Sequence, residues 1–361
     1  MNNMLQRIRK FIARERFYVL LLSFVVMVQV GAYLAERIAP PEAEKQEVVV
    51  QEKIESQTEQ PSNDEDMRNQ LQEAFAERPR LAMVFGLLMG IIALAFLMGL
   101  CVDILMLYKS ERFQIMGNFA GVPYVAWSIW DVAKVAILFL FFGHALIIAE
   151  SGFSAIFPFL EVDNVRMILN STIMDGLAIF FIIYIIRKEY GEDLSKLGIS
   201  FKNFFKNIFV GVLSYIAAVP ILIGLLLLVI FVVKLTHYEP PPQPILELLV
   251  KEESQKLFLY SIFFVAMIGP ILEEIFFRGF MYTAIKKRFG MWGALLITSF
   301  LFSALHANWV GFLPIMALGM LLAYLYEKTG SLSASIAVHI MHNFGMSLFI
   351  LFIRELGVRG I

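Results

Sequence analysis

Cysteine is nearly missing. The 361 residues contain one, Cys101, so no intramolecular disulfide can form, and no CxxC or CxxH pair is present to build a thiolate metal site. Lying inside an apolar run, Cys101 is expected to be a small buried hydrophobe. Charge is scarce as well: 17% of residues are charged against 59% hydrophobic, and the formal net charge is −1. No HExxH is present, and no internal repeat of the kind that builds many transporters stands out. A nucleic-acid partner is not expected.

What the chain does have is long apolar runs, with a mean hydropathy of +0.72. They place it among all-α proteins, as a polytopic transmembrane helical bundle whose solvent is the lipid bilayer. Apolar spans fall at about 17–35, 81–108, 129–149, 166–186, 207–235, 257–285, 291–309, 311–327 and 332–353, which makes about nine transmembrane helices. The first follows Arg7, Arg9, Lys10, Arg14 and Arg16 and reads as an uncleaved signal anchor with a cytoplasmic N-terminus, although Val30-Gly31-Ala32 resembles a cleavage site. Cation clusters after alternate spans (Lys109 with Arg112, Arg187 to Lys206, Lys286 to Arg288) agree with that orientation, while Arg354 and Arg359 cut slightly against it. Four parts follow: residues 1–36 as basic terminus and first helix, 37–80 as an acidic extracytoplasmic loop, 81–190 as N-terminal helices, and 191–353 as a core. The stretch from Glu192 to Lys206 is expected to lie along the cytoplasmic interface. The expected location is a bacterial cell membrane.

Residues 257–290 are the most informative. Mid-span stand Glu273, Glu274 and Arg278. Each charge at the bilayer centre costs roughly 2.5–3.5 kcal/mol on insertion scales, so the three must face protein or a wet cavity. Glu274 and Arg278 share a face one turn apart and can pair, leaving Glu273 free for proton transfer. Pro270 has no N–H and is expected to open a backbone carbonyl beside the carboxylates. An ion pair that merely holds helices together would use the same residues.

Two later spans repeat the theme. Phe302 and His306 are four apart, as are His339 and Asn343, with His342 close by. Asp103, Asp131, His144 and Asp175, in the N-terminal half, have no evident partner at helical spacing and read as single interhelical contacts or snorkelling groups.

Taken in order, Glu273-Glu274-x-x-x-Arg278, Phe302-x-x-x-His306 and His339-x-x-x-Asn343 resemble the three motifs of the CPBP family of intramembrane glutamic or metallo-endopeptidases, the CAAX prenyl proteases and bacteriocin-processing (Abi) enzymes. The resemblance covers roughly residues 190–350. It implies hydrolysis of a peptide bond in a membrane-associated peptide or protein. Glu273 would be the general base, assisted by His306, and Glu274 would hold Arg278. His339 and Asn343 would donate hydrogen bonds to the oxyanion. Family substrates include prenylated C-termini in eukaryotes, and peptide maturation or bacteriocin self-immunity in bacteria.

The family's metalloprotease label raises Zn2+ as a cofactor, with Glu273, His306 and His339 as candidate ligands. Water activated by Glu and His without metal is favoured slightly, since HExxH is missing. A proton- or ion-coupled transporter and a non-catalytic scaffold are the competing classes. The peptidase reading requires Glu273, His306 and His339 to converge within roughly 10–12 Å of one another, because proton transfer is short-ranged. Counted along the helices, Glu273 lies roughly 20 Å, and His339 roughly 12 Å, from their cytoplasmic ends.

Overall fold

Backbone in hydrocarbon has no water to bond, so a helix that satisfies its own N–H and C=O groups is the natural element. A computed structural model describes residues 12–38, 64–108, 121–153, 162–238 and 254–356, with residues 6, 10, 156, 157 and 252 besides. Among these there is no strand. The helices are α1 (Arg16–Ile38), α2 (Asp64–Glu77), α3 (Pro79–Tyr108), α4 (Ile129–Phe153), α5 (Asp163–Tyr184), α6 (Phe204–Thr236), α7 (Gln255–Phe263), α8 (Gly269–Glu274), α9 (Thr283–Leu305), α10 (Phe312–Thr329) and α11 (Leu332–Leu356). Most of the acidic loop, residues 39–63, lies outside the described residues.

Seven helical units among the described residues are long and apolar enough to cross a membrane. One of them, Gln255–Leu305, turns back on itself at Gly290, where φ is +69° and ψ −177°. No atom crowds that position, so glycine is there for its backbone freedom. Counting both limbs of this unit, and α10 besides, each apolar run read from the sequence has its own helix. All-α and polytopic, the architecture agrees with the expectation.

The unit that carries the charges is not a uniform α-helix. Wide π turns occupy Phe264–Ile268 and Ile275–Tyr282, on either side of α8. Such π segments recur at functional sites because they rotate side chains off the α-helical register. Here they aim Glu273, Glu274 and Arg278 inward.

One hydrophobic core runs from the N-terminal helices into the C-terminal block. Val125, Trp127, Val132, Ile182 and Ile186 pack with Phe280, Tyr282, Phe302 and Tyr326. Trp127 stacks on Phe280 at 5.6 Å and donates its indole N–H to the Phe280 carbonyl at 3.0 Å. Glu327, nearly buried, accepts from Tyr282 at 2.9 Å and from Lys286 at 2.5 Å. At the other end, Phe75 of α2 and Phe85 of α3 stack with Phe352 of α11, and the Arg78 guanidinium donates to the Glu355 carbonyl.

Two expectations are corrected. Cys101 is exposed on α3, because a helix facing lipid presents apolar residues outward. Asp131 has a helical-spacing partner, Lys134 at i+3 and 3.1 Å, and also accepts from Ser128 and Tyr190. The 192–206 stretch is mixed in exposure. Phe201 and Phe205 are exposed, but Leu197 is buried, its carbonyl accepting from Tyr326 at 3.0 Å.

Candidate active site

Arg278 and Glu274 form the foundation. Both side chains are 0% exposed, and an Arg278 Nη donates to Glu274 Oε1 at 2.6 Å. The second guanidinium nitrogen donates to the Gly319 carbonyl on α10 at 3.1 Å. A Cβ at Gly319 would stand 3.2–3.3 Å from Ser299 and Phe302, so a bare glycine is what lets α10 approach α9 closely enough for this bond. The guanidinium also lies 4.5 Å over the Phe302 ring.

His339 joins the pair. Its Nδ1 is 3.0 Å from the same Glu274 oxygen, and the ring is almost fully buried. A carboxylate paired with arginine only accepts, so Nδ1 carries the proton and Nε2 is left facing Glu273 Oε2 at 3.7 Å. Glu273 itself is partly exposed, and its Oε2 has no hydrogen-bond partner in the protein. The unpaired second carboxylate expected from helix geometry is therefore present, and Glu274 is the structural one.

Phe302 ties the third motif in. Its ring touches His306 (centroids 4.7 Å apart), His339 (5.5 Å) and Phe277 (5.1 Å). α9 stops at Leu305, one residue before His306. His306 is exposed, and its Nδ1 is 2.7 Å from the Phe302 carbonyl, which fixes a proton on Nδ1. Glu273 and His339 thus meet directly, and His306 and His339 share the Phe302 ring.

Asn343 shows why Pro270 matters. In the π turn, Gly269 N–H bonds to the Phe264 carbonyl five residues back. By that register the Val265 carbonyl would take the N–H of residue 270, and proline has none. Asn343 Nδ2 donates to Val265 instead, at 3.0 Å. Asn343→Ala leaves that carbonyl without a donor, and the expected loss is about 1–3 kcal/mol of stability. Thermal unfolding in detergent checks it; an unchanged midpoint would refute the bond's structural role.

In the sequence Asp175 reads as a single interhelical contact, and His342 as a near neighbour of His339. On α5, Ile168, Thr172, Asp175, Ile179 and Ile182 recur at heptad-like spacing and turn toward the C-terminal block, where Thr172 bonds the Tyr260 hydroxyl at 2.9 Å. Asp175 sits in that stripe within electrostatic range of Glu273. The stripe itself was the available signal. His342, on α11, is held by Tyr215 of α6 at 2.9 Å, a contact that spacing alone does not disclose.

A three-ligand metal centre does not fit these positions. Among the described residues no three of the His, Cys, Asp and Glu side chains gather closely enough to hold a metal ion. His339 Nδ1 is turned to Glu274 and His306 Nδ1 to the Phe302 carbonyl, so neither nitrogen is open to a metal.

Fold and site together define a polytopic helical membrane protein with a buried Glu–Arg–His centre carried by its last helices. Residues 255–345 match the Rce1-like family, described as type II CAAX prenyl endopeptidase Rce1-like. A relative from Bacillus subtilis (strain 168), "Putative membrane peptidase YdiL", is 36% identical over 78 residues, which is 22% of this chain and 32% of that protein. Both likenesses fall in the C-terminal block and agree with the resemblance to the CPBP family carried by its three motifs. The chain spans about a third of the length of the curated relative it matches. No solved structure matches it.

Proposed function

We propose that the protein is an intramembrane endopeptidase that hydrolyses a peptide bond of a membrane-associated substrate with a Glu/His-activated water. The observation that supports this most is the 3.7 Å approach of Glu273 Oε2 to His339 Nε2, beside a second glutamate already neutralised by arginine. Two acceptors facing each other at that spacing call for a proton donor between them, and a water molecule is one. Glu273 takes a proton from the water as its oxygen attacks the carbonyl carbon. The C–N bond then breaks and Glu273 returns the proton to the departing amine. His306, which shares the Phe302 ring with His339, assists. The Glu274–Arg278 pair holds His339 in one tautomer and takes no proton itself.

The substrate class suggested by the matched family is a prenylated CAAX C-terminus, which would bring its reactive bond to the membrane surface. A comparison of peptides in cells carrying wild type or Glu273→Ala tests the activity without presuming the substrate. Peptides that depend on Glu273 are expected, and identical peptide pools would sink the reading. The site is further proposed to open to the cytoplasm, on the cation distribution. Cysteines introduced near Lys286 and Ser331 should then resist an impermeant thiol reagent in intact cells, and ready labelling there would reverse the orientation.

A further inference from the structure

The donors that the CPBP resemblance assigns to the oxyanion are partly engaged with the protein, which leaves Asn343 a single amide N–H to offer. His339 Nδ1 bonds Glu274, and its Nε2 faces Glu273. Asn343 has one amide N–H on the Val265 carbonyl. A site built for acyl transfer needs donors aimed at the oxygen that becomes negative, and the same turn of α11 holds another candidate.

His342 is three residues after His339, on the neighbouring face. Its Nδ1 lies 2.9 Å from the Tyr215 hydroxyl, and the two rings meet edge to face at 6.0 Å and 82°. Nε2 is the ring's other nitrogen and takes no part in that contact. The ring lies within electrostatic range of His339 and His306. A phenol hydroxyl that donates to Nδ1 obliges a neutral imidazole to carry its proton on Nε2. Tyr215 belongs to α6, outside the family-matched segment.

We propose that His342, held by Tyr215 with its proton on Nε2, is a further catalytic residue that donates to the carbonyl oxygen of the scissile peptide. This rests on the peptidase reading above. During the reaction the Nε2–H bond stays intact. It stabilises the oxyanion as the water oxygen adds to carbon, and weakens again when the C–N bond breaks.

The test uses purified full-length protein and a peptide whose cleavage in cells depends on Glu273. His342→Ala is expected to lower kcat by about 10²–10³ with little change in KM, the usual result of deleting one oxyanion donor. His342→Gln, whose side-chain amide can donate from a similar position, should recover at least about tenfold of that loss, equivalent to about 1.4 kcal/mol of transition-state stabilisation. Tyr215→Phe should lower kcat and leave KM unchanged. Recovery by glutamine with KM constant supports the donor role. A His342→Ala enzyme within about twofold of wild type overturns it, since one donor is worth far more than that. If alanine prevents folding, a folded His342→Gln enzyme that is inactive overturns it equally. If no peptide depends on Glu273, the peptidase reading has failed first, and this proposal falls with it.

Discussion

Glu273→Gln is expected to reduce turnover by about 10²–10⁴-fold, the usual contribution of a positioned general base, or about 3–5 kcal/mol of barrier. Glutamine has nearly the shape of glutamate but cannot accept the water's proton. The fold should scarcely respond, because Glu273 Oε2 has no hydrogen-bond partner to lose and the side chain is partly exposed. Melting in detergent should therefore stay close to wild type while kcat collapses. A variant that keeps a tenth or more of wild-type turnover would remove Glu273 from the chemistry, since a base contributes at least about a hundredfold.

Arg278→Met is expected to show the opposite pattern, with stability falling by about 3–5 kcal/mol, because it leaves a fully buried carboxylate without its counter-ion. The substitution also takes the donor from the Gly319 carbonyl and the cation from the Phe302 ring. Activity would be lost with the fold, so activity alone is uninformative here. A double variant, Glu274→Gln with Arg278→Met, separates pairing from packing. It should be more stable than the Arg278 single variant, with a coupling of about 0.5–3 kcal/mol for groups in direct contact. Should Arg278→Met unfold within about 1 kcal/mol of wild type, the buried pair could not be the foundation assigned to it.

These two outcomes differ because Glu273 and Glu274, adjacent in the chain, point to different surroundings. That much was legible in the sequence. Helix periodicity put Glu274 with Arg278, and Pro270 had to leave a carbonyl open; both are local consequences of backbone geometry. Lys134 beside Asp131 was equally local, and its i+3 spacing lay in plain view.

Burial was less legible. Periodicity separates a wet face from a dry one, but lipid and protein core are both apolar, so Cys101 looked buried and is not. The wide turns around α8 also have no sequence signature as direct as proline or glycine, yet they set where three charged side chains point.

Amino-acid order alone determined the all-α membrane class, the spans, and the set of groups able to do chemistry, because insertion energy and helical spacing act over a few neighbouring residues. Tertiary structure alone decided who meets whom. It turned His339 to both glutamates, put Asn343 on Val265, hung His306 and His339 on one phenylalanine, and brought Tyr215 to His342. Contacts of that kind depend on how separate helices pack, and helix packing is settled by the shape of whole faces rather than by any short run of sequence.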